Sequence, residues 1–158
     1  MARRDYYHYH DPDAPAANSM VPAVTAVVVD QQQRLLLIHR VDNDRWALPG
    51  GGIELGESVS DAVVREVNEE TGIEVEVSNI VGIFSDPDHV IAYDDGEVRQ
   101  QFSLAFGARP VGGKLTNSSE STEVRWIAPE DLNALNVHPA QRLRIDHGLD
   151  PGRPPRIC

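Results

Sequence analysis

A chain of 158 residues, 41% of them hydrophobic, suits one domain around one packed core. Its formal net charge of −11 argues against a general nucleic-acid binder, because holding a phosphate backbone rests on clustered Lys and Arg. The single cysteine, Cys158, excludes an intrachain disulfide and fits a reducing, cytoplasmic setting.

Residues 1–19 mix Tyr6, Tyr7, His8, Tyr9 and His10 with Asp, Pro and Ala, without a period that would bury one face. A flexible arm is expected there, followed by a single domain over residues 20–150 and a Pro-rich tail over 151–158. No apolar stretch resembles a secretion signal, and the longest run, Val21 to Val29, is far short of the ~20 residues of a membrane helix. It reads as a strand instead.

Ala23 to Asp30 and Arg34 to Ile38 predict two paired strands, and a loop from Val41 to Arg45 leads to Trp46 and the glycines Gly50, Gly51 and Gly52. Glycine tolerates close approach, so a ligand can meet the main chain here. The next segment predicts a helix over Val59 to Thr71: Ser58 is its N-cap with Asp61 three places on, and Gly72 closes it. Val59, Ala62, Val63 and Val67 form its apolar face. Strand-like segments then dominate, at Glu74 to Phe84, Val90 to Tyr93, Val98 to Ala108 and Glu123 to Ile127, with turns at Asp94-Asp95-Gly96 and Gly112-Gly113. Short helices over Pro129 to Leu135 and His138 to His147 complete the pass.

The chemistry concentrates on the first helix. Glu66, Glu69 and Glu70 stand at i, i+3 and i+4 and share one side. Like-charge neighbours at that spacing destabilise a helix by ~0.2–0.5 kcal/mol per pair, a cost that a divalent cation offsets. Oxygen ligands suit Mg²⁺ or Mn²⁺. A merely solvated acidic face does not account for the preceding glycines or for Arg65.

From Gly51 the chain runs five residues to Glu57, seven more to Arg65, and then Glu66-Val67-Asn68-Glu69-Glu70-Thr71-Gly72-Ile73. This stretch, with its Leu48-Pro49-Gly50-Gly51 lead-in, resembles the box of the Nudix hydrolases at every specified position. The resemblance covers roughly residues 20 to 136. It implies an α/β/α sandwich with a mixed curved β-sheet, and metal-dependent hydrolysis of a phosphoanhydride in a nucleoside diphosphate linked to another group. By the same resemblance Glu66, Glu69 and Glu70 hold the metal with the Gly50 carbonyl, Glu57 contributes through water, and Arg65 orients the glutamates. The base is Glu66 or an acid on a later loop, for which Glu120 is the candidate.

Arg40 and Arg45 are candidate phosphate contacts, each weighed against a surface ion pair. Trp46 is a candidate for base stacking, although a Trp beside a core strand more often packs. His89 is a candidate pocket residue whose expected state is an exposed turn histidine. The segment Val81 to Pro87 is similar to the post-box region of ADP-ribose pyrophosphatases, including a proline 15 places after Gly72. A small-molecule nucleotide is therefore the expected partner, ADP-ribose or a similar sugar nucleotide ahead of a nucleoside triphosphate. An isoprenoid-diphosphate isomerase would need a catalytic cysteine, and Cys158 lies in the tail. A non-catalytic nucleotide sensor would be expected to have lost part of the box. The arm and the last helix are candidates for contact in a homodimer.

Overall fold

The computed structural model of the chain describes residues 4–158. Its elements run β1 (Arg4–Tyr9), β2 (Ser19–Val28), β3 (Leu35–Arg40), β4 (Trp46–Ala47), β5 (Gly50–Gly52), α1 (Val59–Thr71) and β6 (Ile73–Phe84). They continue with β7 (His89–Tyr93), β8 (Val98–Gly113), β9 (Ser121–Ile127), a 3-10 turn (Pro129–Ala134), α2 (Pro139–Gly148) and β10 (Arg156–Ile157).

Alternation along two hydrophobic strands sets the layers. Val24, Ala26 and Val28 of β2 join Leu36 and Ile38 of β3 in one core cluster, whereas Val27 joins Leu35 and Leu37 in a second. Successive side chains of a strand point to opposite faces, so the two clusters lie on opposite sides of these strands. A helix closes each one: Ala62, Val63 and Val67 of α1 fill the first, Ile145 of α2 the second. This is the expected α/β/α sandwich.

The strands form two sheets rather than one. The larger is mixed, in the order β1-β7-β8-β2-β5, with β6 paired to β8 and β10 to β6; the smaller is β4-β3-β9. β2 runs parallel to β8, and β10 parallel to β6, while the remaining pairs are antiparallel. Three register shifts between β6 and β8 bend the larger sheet, since each unpaired residue adds local twist.

Helix α1 has the expected bounds because both ends are capped. Ser58 Oγ accepts from the Asp61 N–H at 3.2 Å and Asp61 Oδ2 accepts from the Ser58 N–H at 3.2 Å, so aspartate completes the capping box. Gly72 takes the left-handed conformation at φ 76°, and its N–H donates to the Asn68 carbonyl.

Both chain ends differ from expectation. Residues 1–3 lie outside the described residues, but Arg4–Tyr9 is no loose arm: it pairs antiparallel with β7, with Tyr9 opposite His89. The tail is likewise held, since β10 pairs with β6 and the Cys158 N–H donates to the Ile83 carbonyl at 3.0 Å. Backbone pairing, which needs no apolar period, orders both segments. The arm and α2, offered above as dimer contacts, are both used within the chain. No helix among the described residues is long and apolar enough to cross a membrane.

Candidate active site

The acidic face of α1 lies against β5, and each glycine of that strand meets a different helix residue. The Gly50 N–H donates to Glu70 Oε2 at 3.4 Å, and the Gly52 carbonyl accepts from Arg65 Nη2 at 3.0 Å. A Cβ on Gly51 would stand 2.5 Å from Glu66 Oε1, and one on Gly50 would run into the Val24 carbonyl oxygen. Close approach is therefore required at Gly50 and Gly51, whereas Gly52 faces open space.

Arg65 organises the acids. Its Nε and Nη2 bind both oxygens of Glu57 at 2.9 and 2.6 Å, a bidentate fork, and its Nη1 donates to Glu66 at 2.8 Å and Glu69 at 3.2 Å. The hydrogen bonds from Arg65 hold Glu57 down at about 2, and the same contacts raise the guanidinium. Glu70 is only 5% exposed; burial, then the charge of Glu66, pushes its carboxyl up to about 8, against the pull of Arg40 and the Gly50 N–H. Burial likewise raises Glu66. Exposed Glu120 adds to the rise at both Glu66 and Glu70, so the loop before β9 brings its charge to the same place.

Among the described residues no three His, Cys, Asp or Glu side chains form a ready metal cage. On the helix face Arg65 takes up oxygens of Glu57, Glu66 and Glu69 as their counter-cation. The donor set nonetheless fits a hard divalent ion: carboxylate oxygens of Glu66 and of buried Glu70, beside the backbone at Gly50 and Gly51.

Beside β5 a cavity opens over one face of the larger sheet. Ala23 and Thr25 of β2, Gln101 and Ser103 of β8, and His89 and Ile91 of β7 line it at the two-residue spacing of strands. Arg40, Arg45 and Trp46 reach the same cavity. Arg40 also forms an ion pair with Asp42, at 2.9 Å, the alternative weighed against phosphate contact, while its charge still bears on Glu70. Trp46 is 8% exposed, 5.0 Å from the His39 ring and with the Arg125 guanidinium 5.0 Å over its own ring, so it packs as a wall.

His89 corrects the expectation of an exposed turn residue. It begins β7, is 6% exposed, stacks on His138 at 5.3 Å and meets the edge of Tyr9. Burial, then the charges of His138 and Arg144, lowers it to about 3. His138 and Arg144 of the α2 region, and Ser103 of β8, are cavity residues that sequence reasoning missed. No motif marks them; only the polar interruption of a strand at Gln101 and Ser103 was visible.

The fold and the acid-faced helix define a Nudix-type domain, and the NUDIX domain family matches residues 20–147. The chain belongs to the Nudix hydrolase family. It is 41% identical over 111 residues to a MutT-like protein of Streptomyces ambofaciens, covering 70% of this chain and 66% of that one. It is 34% identical over 128 residues to an ADP-ribose pyrophosphatase of Methanocaldococcus jannaschii, covering 76% of this chain and 64% of that one. The chain thus spans about two thirds of the length of these curated relatives. In fold it is similar to the crystal structure of an ADP-ribose pyrophosphatase from Streptococcus suis, with a TM-score of 0.68 and 23% identity over 87% of this chain and 98% of the other.

Proposed function

We propose that the chain hydrolyses a phosphoanhydride bond in a nucleoside diphosphate linked to another group, with ADP-ribose or a similar sugar nucleotide as substrate and Mg²⁺, replaceable by Mn²⁺, as cofactor. The observation that carries this reading is the pressing of Glu66 and Glu70 against the Gly50–Gly52 strand, at the mouth of an arginine-lined cavity. Glu66, Glu69, Glu70 and the Gly50 carbonyl would hold the ion, with Glu57 acting through water. A bound divalent ion supplies charge neutralisation at phosphate oxygens and a lowered pKa for water.

The residues of the chain do the rest. Arg65 holds Glu57, Glu66 and Glu69 in one arrangement, so that their repulsion does not scatter them. Glu120 or Glu66 takes a proton from the attacking water, whose oxygen forms a bond to phosphorus as the anhydride oxygen leaves on the other phosphate. Arg40 and Arg45 face the diphosphate from the cavity wall. The lean to ADP-ribose is supported by the Val81 to Pro87 segment and by similarity to the Methanocaldococcus pyrophosphatase.

Chromatography of products tests it, with ADP-ribose, other sugar nucleotides, dinucleotides and nucleoside triphosphates offered in parallel with each metal. AMP plus ribose phosphate is the expected dominant pair, lost in Glu70→Gln. Preferred release of pyrophosphate from a triphosphate would replace the substrate, and no cleavage of any compound would leave a nucleotide sensor.

A further inference from the structure

The wall of the cavity holds an unusual set of polar side chains. Thr25 Oγ1, His89 Nε2, Ser103 Oγ and Arg144 Nε are all buried without a hydrogen-bond partner, and all four residues line this cavity. Among the described residues only His147 Nδ1 shares that state. Three of these residues, His89, Ser103 and Arg144, stand toward α2 and point to a polar occupant there, whereas Thr25 stands beside Gly50.

Arg144 defines what the occupant is. It is 2% exposed, its Nη1 donates to the Ala140 carbonyl at 2.9 Å, and its guanidinium lies 4.7 Å over the Phe84 ring. No carboxylate pairs with it among the described residues. Burial lowers it to about 10, which leaves it charged at neutral pH. Negative charge at Cys158, at the chain's end, works against that lowering; a buried cation without an ion-pair partner is still destabilising, and a bound anion reduces that cost. His138 adds a donor: its Nδ1 accepts from the Ala140 N–H at 3.1 Å, so the proton of the neutral ring sits on Nε2. No Asp or Glu lines the cavity, whereas Arg45 and Arg144 do, with Arg40 and Arg99, which pair with Asp42 and Glu97.

We infer that this end of the cavity binds a second anionic group of the substrate, a phosphomonoester on the nucleoside ribose, with Arg144 and Ser103 as its anchors. β8, which carries Ser103, lies two strands from β5, about 10 Å away, a span for the ribose that carries both phosphates. Gln141 Oε1 accepts from the Leu48 N–H at 3.1 Å and ties α2 to the segment leading into Gly50, which fixes the two ends relative to each other. The inference rests on the hydrolase reading for the placement of the first phosphate.

The test is calorimetric titration of the full chain, without metal and with EDTA, using AMP, GMP and adenosine 2′,5′-bisphosphate. The bisphosphate binds at least about tenfold more tightly, as charge-assisted hydrogen bonds imply, and Arg144→Met abolishes the difference. The ligand-free Arg144→Met protein melts no lower than the original, because the substitution removes a buried unpaired charge. Ser103→Ala, which deletes an unsatisfied hydroxyl, reduces the preference about threefold and serves if the first variant does not fold. Equal affinity for the two nucleotides, or a preference that survives the folded variants, overturns the inference. So does discrimination between AMP and GMP with no bisphosphate effect, which would make the cavity a base pocket. Since nothing is hydrolysed in this assay, loss of turnover with the preference intact would break the hydrolase reading alone.

Discussion

Two charged regions meet at β5 and are built in opposite ways. On α1 the acids are neighbours in sequence, and Arg65 from the same helix moderates their repulsion. In the cavity the arginines come from distant segments, Arg40 after β3's leucines, Arg99 on β8 and Arg144 on α2; Asp42 and Glu97 pair with the first two, and no acid lines the wall itself. The contrast separates two tasks. In the proposed reading one helix gathers the negative charge for a cation, whereas the space for an anion takes several strands and a second helix.

The largest expected effect tests whether the acidic region extends beyond the helix. Glu120→Gln should lower kcat by about 10²- to 10⁴-fold, the scale of a lost general base, with metal affinity less affected. Steady-state kinetics over pH decide it: an unchanged rate and profile would make Glu120 an ordinary loop acid. A smaller effect tests the organiser. Arg65→Lys keeps the charge but loses the bidentate fork on Glu57, so turnover should fall by about 10- to 100-fold with the melting temperature nearly kept. Activity at the original level would mean that the glutamates are placed by the helix alone.

The smallest effect is on stability. Glu70 is held above its unfolded value, at about 8, so the folded state favours the protonated carboxyl. Its contribution is full below about pH 4.5 and is lost as pH rises through about 8. Metal-free protein should therefore lose melting temperature across that window relative to Glu70→Gln, and added divalent metal should restore it. His89 and His138, lowered to about 3 and about 4, act in the opposite sense: their contribution is present above the unfolded value near 6.5 and is lost as pH falls toward those values. Comparing each variant with its parent at the same pH separates the two. Parallel melting curves for the parent and Glu70→Gln would show that Glu70 is not strained.

Much of the first region was legible without a structure. Ser58, Asp61 and Gly72 fixed the ends of α1, and the spacing of Glu66, Glu69 and Glu70 fixed their shared face. What was missed depends on partners far along the chain. Arg4–Tyr9 has no apolar period, yet it becomes a strand because β7 offers an edge. His89 sits next to turn residues and read as exposed, but Tyr9 and His138 cover it. Trp46 was open between stacking and packing, and the contacts with His39 and Arg125 make it a wall.

The sequence by itself determined the capped helix, its acidic face, the glycines that accept that face, and hence the family and the kind of chemistry. These are local matters, because an α-helix sets the direction of residues three and four apart whatever surrounds it. Only the tertiary structure decided that Thr25, Ser103, His89 and Arg144 share one cavity, and that Arg144 lies there without a carboxylate. Strand alternation says that a residue faces one side or the other, but which side, and what stands opposite, is settled by sheet order and register, which no local pattern encodes.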